Sequence, residues 1–244
     1  MKYVRTLACV ALVCVPSLSL AQDPPPPTHE QTFEAAYVGV SGNASTRTIG
    51  LGADLISRPA SWLFRNRVKF VRNESSDELI ASALDFTSRT EEALNEKASL
   101  FVEYGFFRDR FAGVDRRNDI NGGLALKVLR TGRQALNVDL GVGYLNEQRT
   151  TGDSVSNGDY LLGAGYKLTF SENAELSDDV RLTGIASQGD NWRIEQTVAL
   201  TTRIARAFSL KVSNGIRYAA LPPPGFKKID SVTAVTLVAK FARP

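Results

Sequence analysis

Cysteine is almost missing from this sequence: the only two, Cys9 and Cys14, stand within the first 14 of 244 residues. The rest of the chain can therefore form no disulfide and offer no thiolate to a metal. Histidine occurs once, as His29, so a serine nucleophile elsewhere would have no imidazole base beside it. Lacking thiols and further imidazoles, the chain also lacks the ligands that transition metals favour. Beyond residue 21 no stretch approaches the roughly 18 uninterrupted apolar residues that a spanning helix needs. An excess of charge is missing too: with Lys2 and Arg5 set aside, 27 basic residues face 26 acidic ones. That balance suggests no nucleic-acid partner.

The beginning of the chain is more positive in what it offers. Lys2 and Arg5 precede an apolar run from Leu7 to Val15, followed by Pro16 and Ser19-Leu20-Ala21. This order reads as a secretory signal peptide over residues 1–21, cleaved after Ala21. Both cysteines would leave with it. A lipid anchor on Cys14 would need a small residue before it, and Val13 does not fit. Residues 22–32 hold the prolines Pro24 to Pro27, which cannot donate ladder hydrogen bonds and favour an extended polyproline helix. We read them as a periplasmic leader without a fold of its own, the other reading being a ligand for a proline-recognition module.

From residue 33 to 244 the governing signal has period two, which sends successive side chains to opposite faces of a strand. Leu136, Val138, Leu140, Val142 and Tyr144 alternate with Asn137, Asp139, Gly141 and Gly143. One face is oily and the other wet. Twelve such segments are expected, near residues 33–41, 47–56, 62–72, 78–88, 94–107, 117–129, 134–146, 158–170, 175–187, 191–204, 207–219 and 230–241. Many exceed the globular mode of about 5–6 residues and reach the roughly 9–11 that cross a bilayer. The expected fold class is all-β, a closed antiparallel up-and-down transmembrane β-barrel of about 12 strands in contact with outer-membrane lipid. With both termini in the periplasm, the even-numbered connections should be short, and most are. Aromatics should form two belts: Trp62, Phe64, Phe86, Phe170, Phe208 and Phe241 on the periplasmic side, and Tyr104, Phe106, Tyr144, Tyr160, Trp192 and Tyr218 on the other. Asn66, Glu96, Asp178, Gln196 and Asn214 resist, because they fall on faces assigned to lipid. Either the register slips there or they lie near an interface. A soluble periplasmic barrel or sandwich that binds a ligand is the alternative, with the apolar faces turned inward.

The chain resembles a family of salt-induced outer-membrane proteins of unknown function. The likeness rests on Gly39 to Thr48, with Ser41, Gly42 and Asn43 at its centre. It continues through Asp109, Arg110, Phe111 and Arg117, the glycines Gly122, Gly123, Gly141 and Gly143, and the run Pro223 to Asp230 with Lys228 and Asp230. It spans nearly all of residues 33–241 and implies a transmembrane barrel with a salt- or osmotic-stress role at the envelope. Barrels of this kind end on an aromatic residue read by the outer-membrane assembly machinery. Here Ala242-Arg243-Pro244 follow Phe241.

An enzyme is not expected. Neighbouring carboxylates such as Asp178 and Asp179 point to opposite faces of a strand and cannot converge on one atom. No cofactor or metal is expected either, since no loop has spaced calcium ligands. Gly50-Leu51-Gly52 and Gly141-Val142-Gly143 lack the helix start of a phosphate loop. Attention therefore falls on the lumen. Apolar faces outward send Arg65, Arg67, Lys69, Lys97, Lys127, Lys167, Arg181, Arg193, Arg203, Lys211 and Arg217 inward. Against them stand Asp54, Asp85, Glu103, Asp139, Asp179 and Glu195, eleven bases to six acids. Either these groups pair and plug a narrow interior, or they line a porin-like, anion-preferring passage for small anionic solutes. Arg65, Arg67 and Lys69, on consecutive inward positions of one strand, are the centre of the second reading.

Overall fold

The computed structural model describes residues 27–40, 46–76, 78–152 and 154–243. The expected signal peptide and the motif residues Ser41, Gly42 and Asn43 lie outside the described residues. Twelve strands follow one another: β1 (His29–Val40), β2 (Thr46–Ser57), β3 (Trp62–Ser75), β4 (Glu78–Ala93), β5 (Ala98–Asp109) and β6 (Val114–Arg130), then β7 (Gln134–Arg149), β8 (Val155–Ser171), β9 (Ala174–Ile185), β10 (Trp192–Arg203), β11 (Phe208–Ala219) and β12 (Ile229–Arg243). Each pairs antiparallel with its sequence neighbours, and β12 returns to β1, closing the barrel. Closure has a physical reason. Hydrocarbon offers no hydrogen bonds, so a spanning sheet must leave no edge.

The alternation resolves as expected. Val102, Val128 and Val142 are 57%, 60% and 70% exposed, whereas the inward Phe101, Leu145 and Leu161 are 1–2% exposed. Large apolar residues coat the barrel and charges fill it, which overturns the soluble alternative: water would be the wrong solvent for this exterior. Among the described residues no helix is long and apolar enough to cross a membrane. The strands make the crossing.

One end carries His29, Arg243 and the turns after β2, β4, β6, β8 and β10; we call it the terminus end. The opposite, loop end carries the longest connection, residues 220–228 between β11 and β12. Aromatic pairs mark both rims. Trp62 stacks on Phe64 (6.1 Å) and Phe33 meets Phe241 (6.5 Å) at the terminus end, while Trp192 meets Tyr218 (5.0 Å) at the loop end. Phe86 departs from the expected belts. Because β4 runs on to Ala93, Phe86 lies mid-strand, 6.4 Å from Tyr104.

Several other boundaries also shift by three or four residues, and two of the shifts have a visible cause. β1 begins at His29 rather than 33, so His29 to Thr32, expected in the leader, belong to the barrel. The Arg58 guanidinium holds that start, donating to the Pro27 carbonyl (2.8 Å) and to Glu30 (2.6 Å). β5 begins at Ala98 rather than 94, because the Asn95 carboxamide accepts the N–H groups of Lys97 (2.8 Å) and Ala98 (2.9 Å) and fixes a turn. Glu96 and Lys97 therefore stand in an exposed turn, and neither belongs to a lipid face or the lumen.

Candidate functional site in the barrel lumen

Strand register sets which side chains share the lumen. Asp54 lies across from Arg67, Arg67 from Thr87, Asp85 from Phe107, Glu103 from Asn121, and Asn121 from Gly143, all on the inner face. The glycines of this wall make room for longer neighbours. A Cβ on Gly105 would come within 2.6 Å of the Asp119 carboxylate.

Inward charges pair across the lumen rather than merely along the wall. Arg89 on β4 forks onto Asp139 on β7 (2.7 and 3.1 Å) and stacks over the Phe101 ring at 4.0 Å. Arg181 on β9 reaches Glu103 on β5 at 2.5 Å. Arg217 on β11 reaches Asp85 on β4 at 3.3 Å and lies 4.6 Å over Phe107. Lys211 pairs with Glu34 at 2.9 Å. Forked, charge-assisted bonds of this kind fix side chains in position as well as balancing charge.

The densest cluster lies toward the loop end. Glu147 is 1% exposed, and three guanidinium groups converge on it: Arg117 (2.8 Å), Arg149 (2.8 Å) and Arg193 (3.4 Å). Arg117 also faces Glu195 across the lumen at 3.9 Å. Two cavities meet this layer from opposite sides, and both are lined by Phe107, Arg117, Arg193 and Glu195. The cavity toward the loop end is small, about 60 Å³. The other, about 770 Å³, reaches the terminus end, where Arg58, Trp62, Lys127 and Arg130 stand at its mouth. The paired charges thus stand as a layer between the two cavities; we call this layer the septum and the larger cavity the vestibule.

A loop covers the septum. Pro223 and Phe226 of the β11–β12 connection pack against Gly113, and Pro224 against Gly152, both glycines with positive φ (81° and 79°). The Thr151 hydroxyl donates to the Pro224 carbonyl at 2.7 Å. Gly113 closes a short 3₁₀ turn, Arg110–Ala112, whose N–H groups are capped by the Asp109 carboxylate. Two of the sequence motifs, Asp109 to Arg117 and Pro223 to Asp230, therefore meet over the mouth, with Lys228 and Asp230 lining the small cavity. Arg110 pairs instead with Asp115 (2.7 Å), and Phe111 is exposed at 45%.

The expected lumen residues divide accordingly. Arg65 and Arg67 share Asp54 (2.5 and 3.3 Å) on the vestibule wall. Lys69 and Lys127 line the vestibule and have no ion-pair partner among the described residues. Arg193 belongs to the septum, and Arg217 touches it from the small cavity. Lys167 pairs with Glu175 (2.5 Å) near the rim, and Arg203 is exposed at the terminus end. Sequence reasoning left Glu34, Arg89, Glu91, Asp119, Glu147, Arg149 and Asp159 out of the lumen. Most of the apparent excess of base disappears once they are included. Continuing the period-two pattern past residues 88 and 146 would have found Arg89, Glu91, Glu147 and Arg149.

A closed twelve-strand barrel with an apolar exterior and a charged interior is a porin-like protein of the outer membrane. An outer-membrane channel from Pseudomonas putida F1 is similar in fold at 12% identity and a TM-score of 0.50, with 92% of this chain and 100% of that one covered. The NanC porin (8% identity, TM-score 0.48) and the KdgM porin (11%, 0.45) each cover 88% of this chain and are 99% covered themselves. At such identities the likeness concerns the fold alone. The chain belongs to the family described as "Protein of unknown function, DUF481", whose model matches residues 33–241. No curated protein matches it.

Proposed function

We propose that this protein is a non-enzymatic barrel, shut at rest, whose vestibule faces the periplasm and binds small anionic solutes. The observation that carries this reading is the cluster of three guanidinium groups on Glu147, which lies between the 770 Å³ cavity and the loop end. Export by residues 1–21 and insertion by the outer-membrane assembly machinery would set the termini in the periplasm, the usual side for the short turns. Ten lysines and arginines and seven carboxylates line the vestibule, and Glu30 and Asp54 behind its wall neutralise part of that surplus; what remains favours anions. Lys69 and Lys127 supply cations not already neutralised by a carboxylate. The sole histidine, His29, opens β1 on its outward face and offers the lumen no base.

Planar-bilayer recording tests the shut state. The refolded wild-type barrel should give no discrete conductance steps, and steady stepping would refute it. Calorimetric titration with inorganic phosphate tests the vestibule, with binding expected in the wild type and weakened by Lys69→Gln. The resemblance to salt-induced outer-membrane proteins implies a further role in envelope or salt stress. Deletion should then alter osmotic tolerance.

A further inference from the structure

Between the aromatic rims the outward faces of the barrel are not alike. On β5 to β7 they present Leu100, Val102, Ile120, Leu124, Leu140 and Val142, all at least 40% exposed. On β9 to β12 a polar stripe interrupts the apolar coat. Val198 pairs in register with Asp178 on one side and Asn214 on the other, and Asn214 pairs with Thr233. The Gln196 amide donates to both oxygens of Asp178 (3.0 and 3.2 Å), and the Asn214 amide donates to Ser231 (3.2 Å) and Thr233 (2.9 Å). The register is continuous here, so no slip turns these residues inward.

A carboxylate has about four acceptor positions, and among the described residues Asp178 receives bonds from Gln196 alone. Lipid tails have nothing to donate to the rest, and a charged group on the lipid face near mid-membrane is disfavoured. We propose that this stripe is the contact between two copies of the chain. A two-fold axis along the membrane normal through Val198 sets the Asp178 flank of one copy against the Asn214 flank of the other. Both N–H bonds of the Asn214 amide are given to Ser231 and Thr233, whose hydroxyls keep their own protons to donate to the facing carboxylate, and the two carboxylates stay on opposite flanks. The stripe thus has the self-complementarity that an isologous interface requires.

The barrel contains no cysteine, so a single one reports cleanly. Val198→Cys, at the proposed axis and 37% exposed, should give a disulfide-linked dimer on mild oxidation in native membranes. Val142→Cys on the opposite wall should not. In sedimentation equilibrium the wild type should be dimeric. Asp178→Leu with Gln196→Leu should weaken that dimer at least tenfold while keeping the heat-dependent gel mobility of a folded barrel. A monomeric wild type without a Val198→Cys cross-link overturns the proposal, as does equal cross-linking at Val142→Cys, a dimer indifferent to the double substitution, or linkage to a different protein.

Discussion

The two halves of the lumen hold the same kinds of side chain and use them differently. Toward the loop end, Arg117, Arg149 and Arg193 are locked onto one buried carboxylate, Glu147. Toward the terminus end, Lys69, Lys127 and Asp179 line open space without ion-pair partners among the described residues. Composition alone therefore does not separate a plug from a passage. What separates them is how many opposite charges each group reaches, and that depends on register and on side chains arriving from across the barrel.

Four changes test that contrast, beginning with the largest effect. Arg117→Ser with Glu195→Ser removes one cross-lumen pair from the septum, and single-channel recording should then show steps absent from the wild type. Glu147→Ala leaves three guanidinium groups without their carboxylate, and losing one partner of a buried pair costs about 3–5 kcal/mol. Urea unfolding in lipid vesicles should show a loss of that size, whereas Asp179→Ala in the vestibule should stay within about 0.5 kcal/mol. Equal losses would erase the contrast. Gly113→Val forces a branched side chain into positive φ and against Phe226, a strain of about 1–3 kcal/mol. It should free the covering loop, read as faster tryptic cleavage after Lys227 or Lys228 with the barrel intact. Lys69→Gln removes one solvated cation and should weaken phosphate binding by about 1 kcal/mol or less, at most roughly fivefold.

Much of the fold was legible in the sequence because period two is a local property. Leu136 to Tyr144 announces its face without reference to any other strand, and all twelve strands lie near their expected positions. Errors fall where local and distant signals compete. The Asn95 turn displaces the start of β5 and removes Lys97 from the lumen. At the other margin, the prolines before His29 obscure the start of β1, which Arg58 fixes from the next turn. The site was less legible. Arg65, Arg67 and Lys69 do face the vestibule, yet the septum depends on Arg117 and Glu195, far apart in sequence and joined only by closure. The outward Asp178 and Asn214 were visible as exceptions, but one strand alone could not tell a shifted register from an interface.

The central claim is that the septum shuts the lumen and leaves the vestibule open at the terminus end only. Lys69→Cys introduces the barrel's single thiol on the vestibule wall. A charged, membrane-impermeant thiol reagent should label it in oriented proteoliposomes when added on the side of the termini and leave it unmodified from the loop side. Labelling at equal rates from both sides would mean that the lumen is continuous and that the septum does not close it.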